Sequence, residues 1–244
     1  MRKKQMTRDL IYVNGREFDN HCFYSYGFEF YEFMSCVQPR PENLILLKHN
    51  FDGAEWNPHT RFDYVTAQGI KDLIDDNVYG YGDFCWVDFE KEEDLEHLSA
   101  QQIAELLYFS HLAKPLHDIP KARFAYYAHD DGWFNKLYVK KLEDFEELLS
   151  RAIVLKLRKM TRRSMVEIPN EIAKVLMEST KEGLLIDLSR MKKSKTEIQI
   201  PITAVGHFTD MDNVYELKEA VTDANVKLVY SKQTWKLIKE ESSV

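Results

Sequence analysis

Between residues 123 and 161 the spacing of apolar side chains changes from every second residue to every third and fourth, and neither an all-helical nor an all-strand fold holds both patterns. Arg123–Ala128 and Trp133–Val139 read as alternating strands on either side of His129-Asp130-Asp131-Gly132, a hairpin by pattern. Directly after them, Leu142, Phe145, Leu148, Leu149, Ile153 and Leu157 form the stripe of a long amphipathic helix over Leu142–Thr161. That helix begins acidic at Glu143, Asp144, Glu146 and Glu147 and ends basic at Arg158, Lys159, Arg162 and Arg163, the order its macrodipole favours.

The same reading along the rest of the chain gives strands at Leu10–Val13, before the turn pair Asn14-Gly15, and at Cys22–Phe33, Leu44–His49, Arg61–Val65 and Asp83–Phe89. Helices are predicted at Thr66–Asp76, at Ser99–Leu112 with a Ser99/Gln102 capping box, and from Pro169 to about Lys181, where Gly183 stops it. Strands at Leu184–Leu188 and Thr196–Thr203 flank a basic loop. A helix near Asp212–Val221, a strand at Val226–Tyr230 and a terminal helix from Lys232 complete the chain. The expectation is an α+β fold: a mainly antiparallel twisted sheet with packed helices and a smaller C-terminal α/β portion. A soft boundary near Arg163 separates an acidic, aromatic-rich body, 1–163, from a C-terminal subdomain, 164–244.

Charge sharpens that division. Residues 9–150 carry net −15, residues 151–244 net +4, and the first eight residues another +4. No apolar run approaches the roughly 20 residues of a membrane span, and Asp9 and Asn14 interrupt what would be the core of a signal peptide, so the expected location is the cytoplasm. Cys22, Cys36 and Cys85 are odd in number and form no CxxC pair, which suggests reduced, buried thiols. Gly-x-Ser-x-Gly, GxxxxGK[ST] and HExxH are absent, which removes the motif-readable hydrolases and ATPases, and no motif calls for a cofactor.

Four constellations remain. In HDDGWFNKLY, Asp131 and Gly132 suit a tight turn, while the chemical alternative makes His129 a base oriented by Asp130, or takes His129, Asp130 and Asp131 as metal ligands. In HNFDGAEWNPH, His49, Asp52, Glu55 and His59 are metal-ligand types at a spacing that matches no standard site; the alternative is a polar loop. In YGYGDFCWVDFEKEEDLEH, Asp88 and Glu90 stand two apart on a strand and could pair as acids, or belong to a solvated acidic edge. The basic run 151–164, with Arg158, Lys159, Arg162 and Arg163, could track a phosphate backbone together with Arg190, Lys192, Lys193 and Lys195, or simply face water.

FYSYGFEFYEF, LLKHNFDGAEW, YGYGDFCWVDFE, AELLYFSHLAKPL and HDDGWFNKLY together resemble a small family of uncharacterised bacterial proteins, over most of residues 10–140 and more loosely beyond. The resemblance implies no activity. Members sometimes carry the label oxalate:formate antiporter, but such a transporter is a bundle of membrane helices, which this sequence does not encode, so the label reads as a mis-transferred name.

The favoured expectation is a non-catalytic binding or regulatory protein whose acidic, aromatic-rich body contacts another protein, with no membrane involved. Its rival is an enzyme or small-ligand binder with a cleft near the HDDG hairpin. That cleft would be walled by Tyr24, Tyr26, Trp86 and Trp133, with His129, Asp130, Asp131, His49, His59 or Asp88 as polar groups. Nucleic-acid binding through the basic 151–163 helix end ranks third.

Overall fold

A computed structural model describes residues 9–48, 50–76, 84–109, 122–129, 134–208, 217 and 226–239. In chain order the strands and helices are β1 (Leu10–Glu17), β2 (Cys22–Tyr26), α1 (Phe30–Cys36), β3 (Asn43–Leu46), β4 (Glu55–Trp56), β5 (Asp63–Thr66), α2 (Ala67–Asp75), β6 (Phe84–Phe89), α3 (Glu92–Glu96) and α4 (Ala100–Phe109), followed by β7 (Phe124–His129) and β8 (Phe134–Val139). Then come α5 (Leu142–Thr161), α6 (Asn170–Ser179), β9 (Leu184–Asp187), β10 (Lys192–Lys193), β11 (Glu197–Ala204), β12 (Val226–Ser231) and β13 (Thr234–Lys239). The fold is α+β, and the strand ladders within each unit are antiparallel wherever register is defined.

The chain divides into two compact units. The first takes the described residues of 1–18, 23–28 and 145–244; the second takes 19–22 and 29–144. Arg163 lies inside the first.

In the first unit the strand order is β13-β12-β11-β9-β1-β2, with β10 beside β11. Ile198, Ile200 and Ile202 alternate with half-exposed Gln199 and Pro201, so β11 buries one face and wets the other. α5 supplies much of the core: Phe145, Ala152, Ile153 and Leu157 have no exposed surface, and Phe145 stacks on Phe23 with ring centroids 3.7 Å apart. Gly183 ends the turn after α6 with φ +77, and a Cβ there would lie 1.7 Å from the Gly206 carbonyl oxygen, so this position requires glycine on both counts.

In the second unit the order is β8-β7-β6-β3-β5-β4. One face carries Phe84, Trp86, Phe124 and Tyr126 beneath α1: Phe30 stacks on Trp86 at 4.0 Å, and Phe33 meets Phe124 edge-on at 4.9 Å. Such offset and edge contacts add to the area buried.

Several expectations meet the structure closely. α5 occupies the predicted residues, the β7–β8 ladder pairs Phe124 with Val139 through His129 with Phe134, and all three cysteines are buried. The Ser99/Gln102 box is formed: Ser99 N–H donates to Gln102 Oε1 at 2.8 Å and Gln102 N–H to Ser99 Oγ at 3.3 Å.

Others are corrected. The strand predicted over Cys22–Phe33 stops at Tyr26, because Gly27 takes φ +75 and Glu29 with Glu32 closes a capping box that starts α1. Asn14-Gly15 is not a turn but the middle of β1. Asn14 Oδ1 accepts from Arg16 N–H at 2.8 Å, and Gly15 lets Thr180 approach so closely that a Cβ would stand 2.6 Å from its Oγ1. The helix predicted from Lys232 is instead β13, with Trp235 buried between exposed Thr234 and Lys236. The short α3 and β4 had no counterpart in the prediction. The helix predicted near Asp212–Val221 lies, apart from Leu217, outside the described residues.

Candidate functional site

The residues of HDDGWFNKLY separate into two groups. β7 and β8 place Asn135 and Tyr138 in the core, where Asn135 Oδ1 accepts from the Tyr126 hydroxyl at 2.7 Å. Asp130, Asp131, Gly132, Trp133 and the His129 side chain lie outside the described residues, as does His49. Of the aromatic walls, Tyr26 and Trp86 are wholly buried, Tyr26 5.7 Å from Tyr12, so neither faces an open cleft. Tyr24 is half-buried and donates to Glu17 Oε1 at 2.5 Å.

Asp88 and Glu90 do not form an acid pair. Glu90 is exposed, while Asp88 is buried and caps the start of β7: its Oδ1 accepts from the N–H groups of Arg123 and Phe124 at 2.6 and 2.8 Å, and its Oδ2 from Arg123 Nε at 3.1 Å. Burial pushes its pKa up to about 6, against the opposing pull of those hydrogen bonds and of the Arg123 charge.

The HNFDGAEWNPH loop gives the most informative surface of the second unit. Asn57 is buried and organises the turn, its Oδ1 accepting from Thr60 N–H at 2.8 Å and its Nδ2 donating to Glu96 Oε1 at 2.6 Å. His59 Nε2 donates to the Leu98 carbonyl at 2.8 Å. The loop is thereby tied to α3 and the residues following it. Tyr64, opposite Glu55 across the β4–β5 pair, donates its hydroxyl to Glu55 Oε2 at 3.0 Å and to Glu92, so one hydroxyl serves two carboxylates. Burial and those two acceptors push the Tyr64 phenol well above the ordinary tyrosine range. Asp52, Glu55 and His59 therefore have loop and strand roles or face water, and no three His, Cys, Asp or Glu side chains among the described residues are placed to share a metal ion.

Beside this carboxylate group Trp56 stands 57% exposed on the edge strand β4. Its own face carries Asp63, its cross-strand partner, and the opposite face carries Glu55 and Tyr64. Glu92, Glu93 and Glu96 on α3 are exposed as well. An indole in water on an acidic sheet edge can do two things chemically: cover apolar area on a partner, and accept a cation over its ring. Sequence reading passed over Trp56 because Asp52-Gly53 and Asn57-Pro58 marked the stretch as loop; an indole between two turn pairs was the available signal.

The basic run does not form one stripe. Lys156 is buried, Arg151 pairs with Glu147 at 2.9 Å, and Arg158 donates to the Met165 carbonyl. Lys159 and Arg162 are exposed, and Arg163 turns away to donate to the Ser194 carbonyl at 2.7 Å. Among the described residues no helix is long and apolar enough to cross a membrane.

Comparisons of the chain with protein-family models, with curated proteins and with solved structures found no match.

Proposed function

We propose that this is a non-catalytic binding or regulatory protein, and that its acidic surface around Trp56 holds a lysine- or arginine-rich segment of a partner protein. The observation that carries the reading is the 57% exposure of Trp56 on an edge strand, with Asp63 as its cross-strand neighbour and Glu55 and Glu92 on the other face of the same edge. A tryptophan left in water forgoes the burial its large apolar surface would gain inside the fold, whereas tryptophan at the centre of an interface is among the residues that contribute most to affinity. The carboxylates select a cationic partner, favour its approach by steering, and exclude nucleic acid from this face.

The test is fluorescence titration of the full chain with a panel of synthetic lysine- and arginine-rich peptides, using Trp56→Ala as the control. Trp56 is exposed, so its removal should change stability by no more than about 0.5 kcal/mol. The reading requires saturable binding that weakens as salt rises and falls at least about tenfold in Trp56→Ala, a loss of ~1.4 kcal/mol. Equal binding by the variant, or none by any peptide of the panel, refutes it.

A further inference from the structure

The first unit contains a shallow hollow of about 440 Å³ whose lining includes Arg163, Ser164, Lys195, Thr196, Lys232 and Gln233. Three cationic residues from distant parts of the chain line it: Arg163 just beyond α5, Lys195 before β11, and Lys232 in the turn between β12 and β13, with Tyr230 as an apolar wall. No acidic residue lines the hollow. The nearby Glu197 carboxylate accepts from Gln199 Nε2 at 2.5 Å, and neither Lys195 nor Lys232 forms an ion pair among the described residues. The Arg163 guanidinium is held in place by its bond to the Ser194 carbonyl, which leaves further N–H donors free to bind. Unneutralised like charges gathered at one spot repel one another, and folding alone gives no reason to collect them.

The backbone adds a second observation. Lys232 and Gln233 are the two central residues of the β12–β13 hairpin, with Ser231 opposite Thr234, and both have positive φ, +50 and +60. Two-residue turns of that kind favour Asn-Gly, which takes this conformation with little strain. Here a lysine and a glutamine occupy it, and both residues line the hollow. Arg162, which precedes Arg163, is also left-handed at φ +57. Three of the five non-glycine residues with positive φ among those described thus lie at or beside this site, as expected where backbone strain is retained for function.

We infer that this hollow binds a small phosphomonoester. Its phosphate would be neutralised by Lys195 and Lys232 and gripped by the planar guanidinium of Arg163, with Ser164, Thr196 and Gln233 as neutral donors. The hollow is open, so an organic group beyond the phosphate would lie along its rim against Tyr230.

The experiment is thermal shift and isothermal titration calorimetry of the full chain with phenyl phosphate and with inorganic phosphate, against sodium chloride at matched ionic strength. A single-stranded oligonucleotide makes the third arm. Lys195→Ala/Lys232→Ala removes two cations, and Lys232→Asn/Gln233→Gly relieves the turn while removing two ligand groups. Binding of phenyl phosphate should raise Tm and weaken at least about tenfold in each double variant, with Lys232→Asn/Gln233→Gly having a higher Tm than wild type in the absence of ligand. Comparable binding of both phosphates means that recognition ends at the phosphate group, and tighter binding of phenyl phosphate assigns the site to an organic ester; both support the proposal. No shift with either phosphate, an equal shift in both double variants, or a response to the oligonucleotide alone, falling steeply with salt, overturns it.

Discussion

Removal of the Asp88 carboxylate should be the most informative perturbation of the second unit. In Asp88→Ala the N–H groups of Arg123 and Phe124 lose their common acceptor; Phe124 is 3% exposed, so its donor has little water to turn to. A stranded buried donor costs about 1–3 kcal/mol. The Arg123 side chain is 29% exposed, so its lost ion pair adds little beyond that. The expected cost is about 3–4 kcal/mol for alanine and about 1–2 kcal/mol for asparagine, whose Oδ1 can still accept from both N–H groups. Urea denaturation at pH 7 measures both; the midpoint should fall with the slope unchanged. Equal losses for the two variants would place the energy in the charge and not in the capped backbone, against the reasoning. The pH dependence tests the electrostatics separately. A carboxyl raised from 3.8 to about 6 takes up its proton earlier in the folded state than in the unfolded one. Its contribution to stability therefore grows as pH falls from about 6 to 3.8, by roughly 2 kcal/mol between pH 7 and pH 4. Wild type should gain that much relative to Asp88→Asn over this range. A gap that closes instead would mean that the Arg123 charge and the two N–H groups outweigh burial.

Other expectations follow from single contacts. The Tyr12 hydroxyl donates to the Gly206 carbonyl at 2.7 Å and accepts from Phe208 N–H at 2.8 Å, and burial pushes its pKa up to about 12. Tyr12→Phe should cost about 1–3 kcal/mol and, by hydrogen exchange, expose the Phe208 amide first. Gly183→Ala places a methyl against the Gly206 backbone at a left-handed φ and should cost more than about 4 kcal/mol, seen as loss of a cooperative thermal transition or a large drop in Tm. In the first unit Phe145→Ala should cost about 3–5 kcal/mol through the cavity left beside Phe23, measured by urea unfolding.

What could be read from the sequence was local. α5 matched residue for residue because its stripe, acidic start and basic end all act within one segment, and Ser99 with Gln102 formed the box their spacing allowed. The β7–β8 hairpin was legible for the same reason. The misreadings were long-range. Asn14-Gly15 looks like a turn until Thr180 is placed against Gly15, and Tyr26 and Trp86 look like cleft walls until each is packed within its own unit. The lysine-rich stretch from Lys232 has the composition of a helix, yet Trp235 can hydrogen-bond the Val166 carbonyl at 3.0 Å and pack its tilted ring against Tyr230 at 4.7 Å as part of a strand. The hollow of Arg163, Lys195 and Lys232 exists only once the end of α5, the β10–β11 connection and the β12–β13 turn are brought together, which no spacing in the chain announces.

The route of the chain has a consequence for its synthesis. Residues 29–144 of the second unit are contiguous, but β1 of the first unit pairs with β9, Leu10 facing Asp187. On a ribosome adding about 5–20 residues per second, the apolar strand Leu-Ile-Tyr-Val is made roughly 10–35 s before that partner. During that interval one edge of the first strand has no native neighbour on the nascent chain, and open apolar edges of this kind recruit wrong ones. Slowing translation between the two strands should lengthen the exposure and raise the misfolded fraction, while leaving the order of native assembly unchanged.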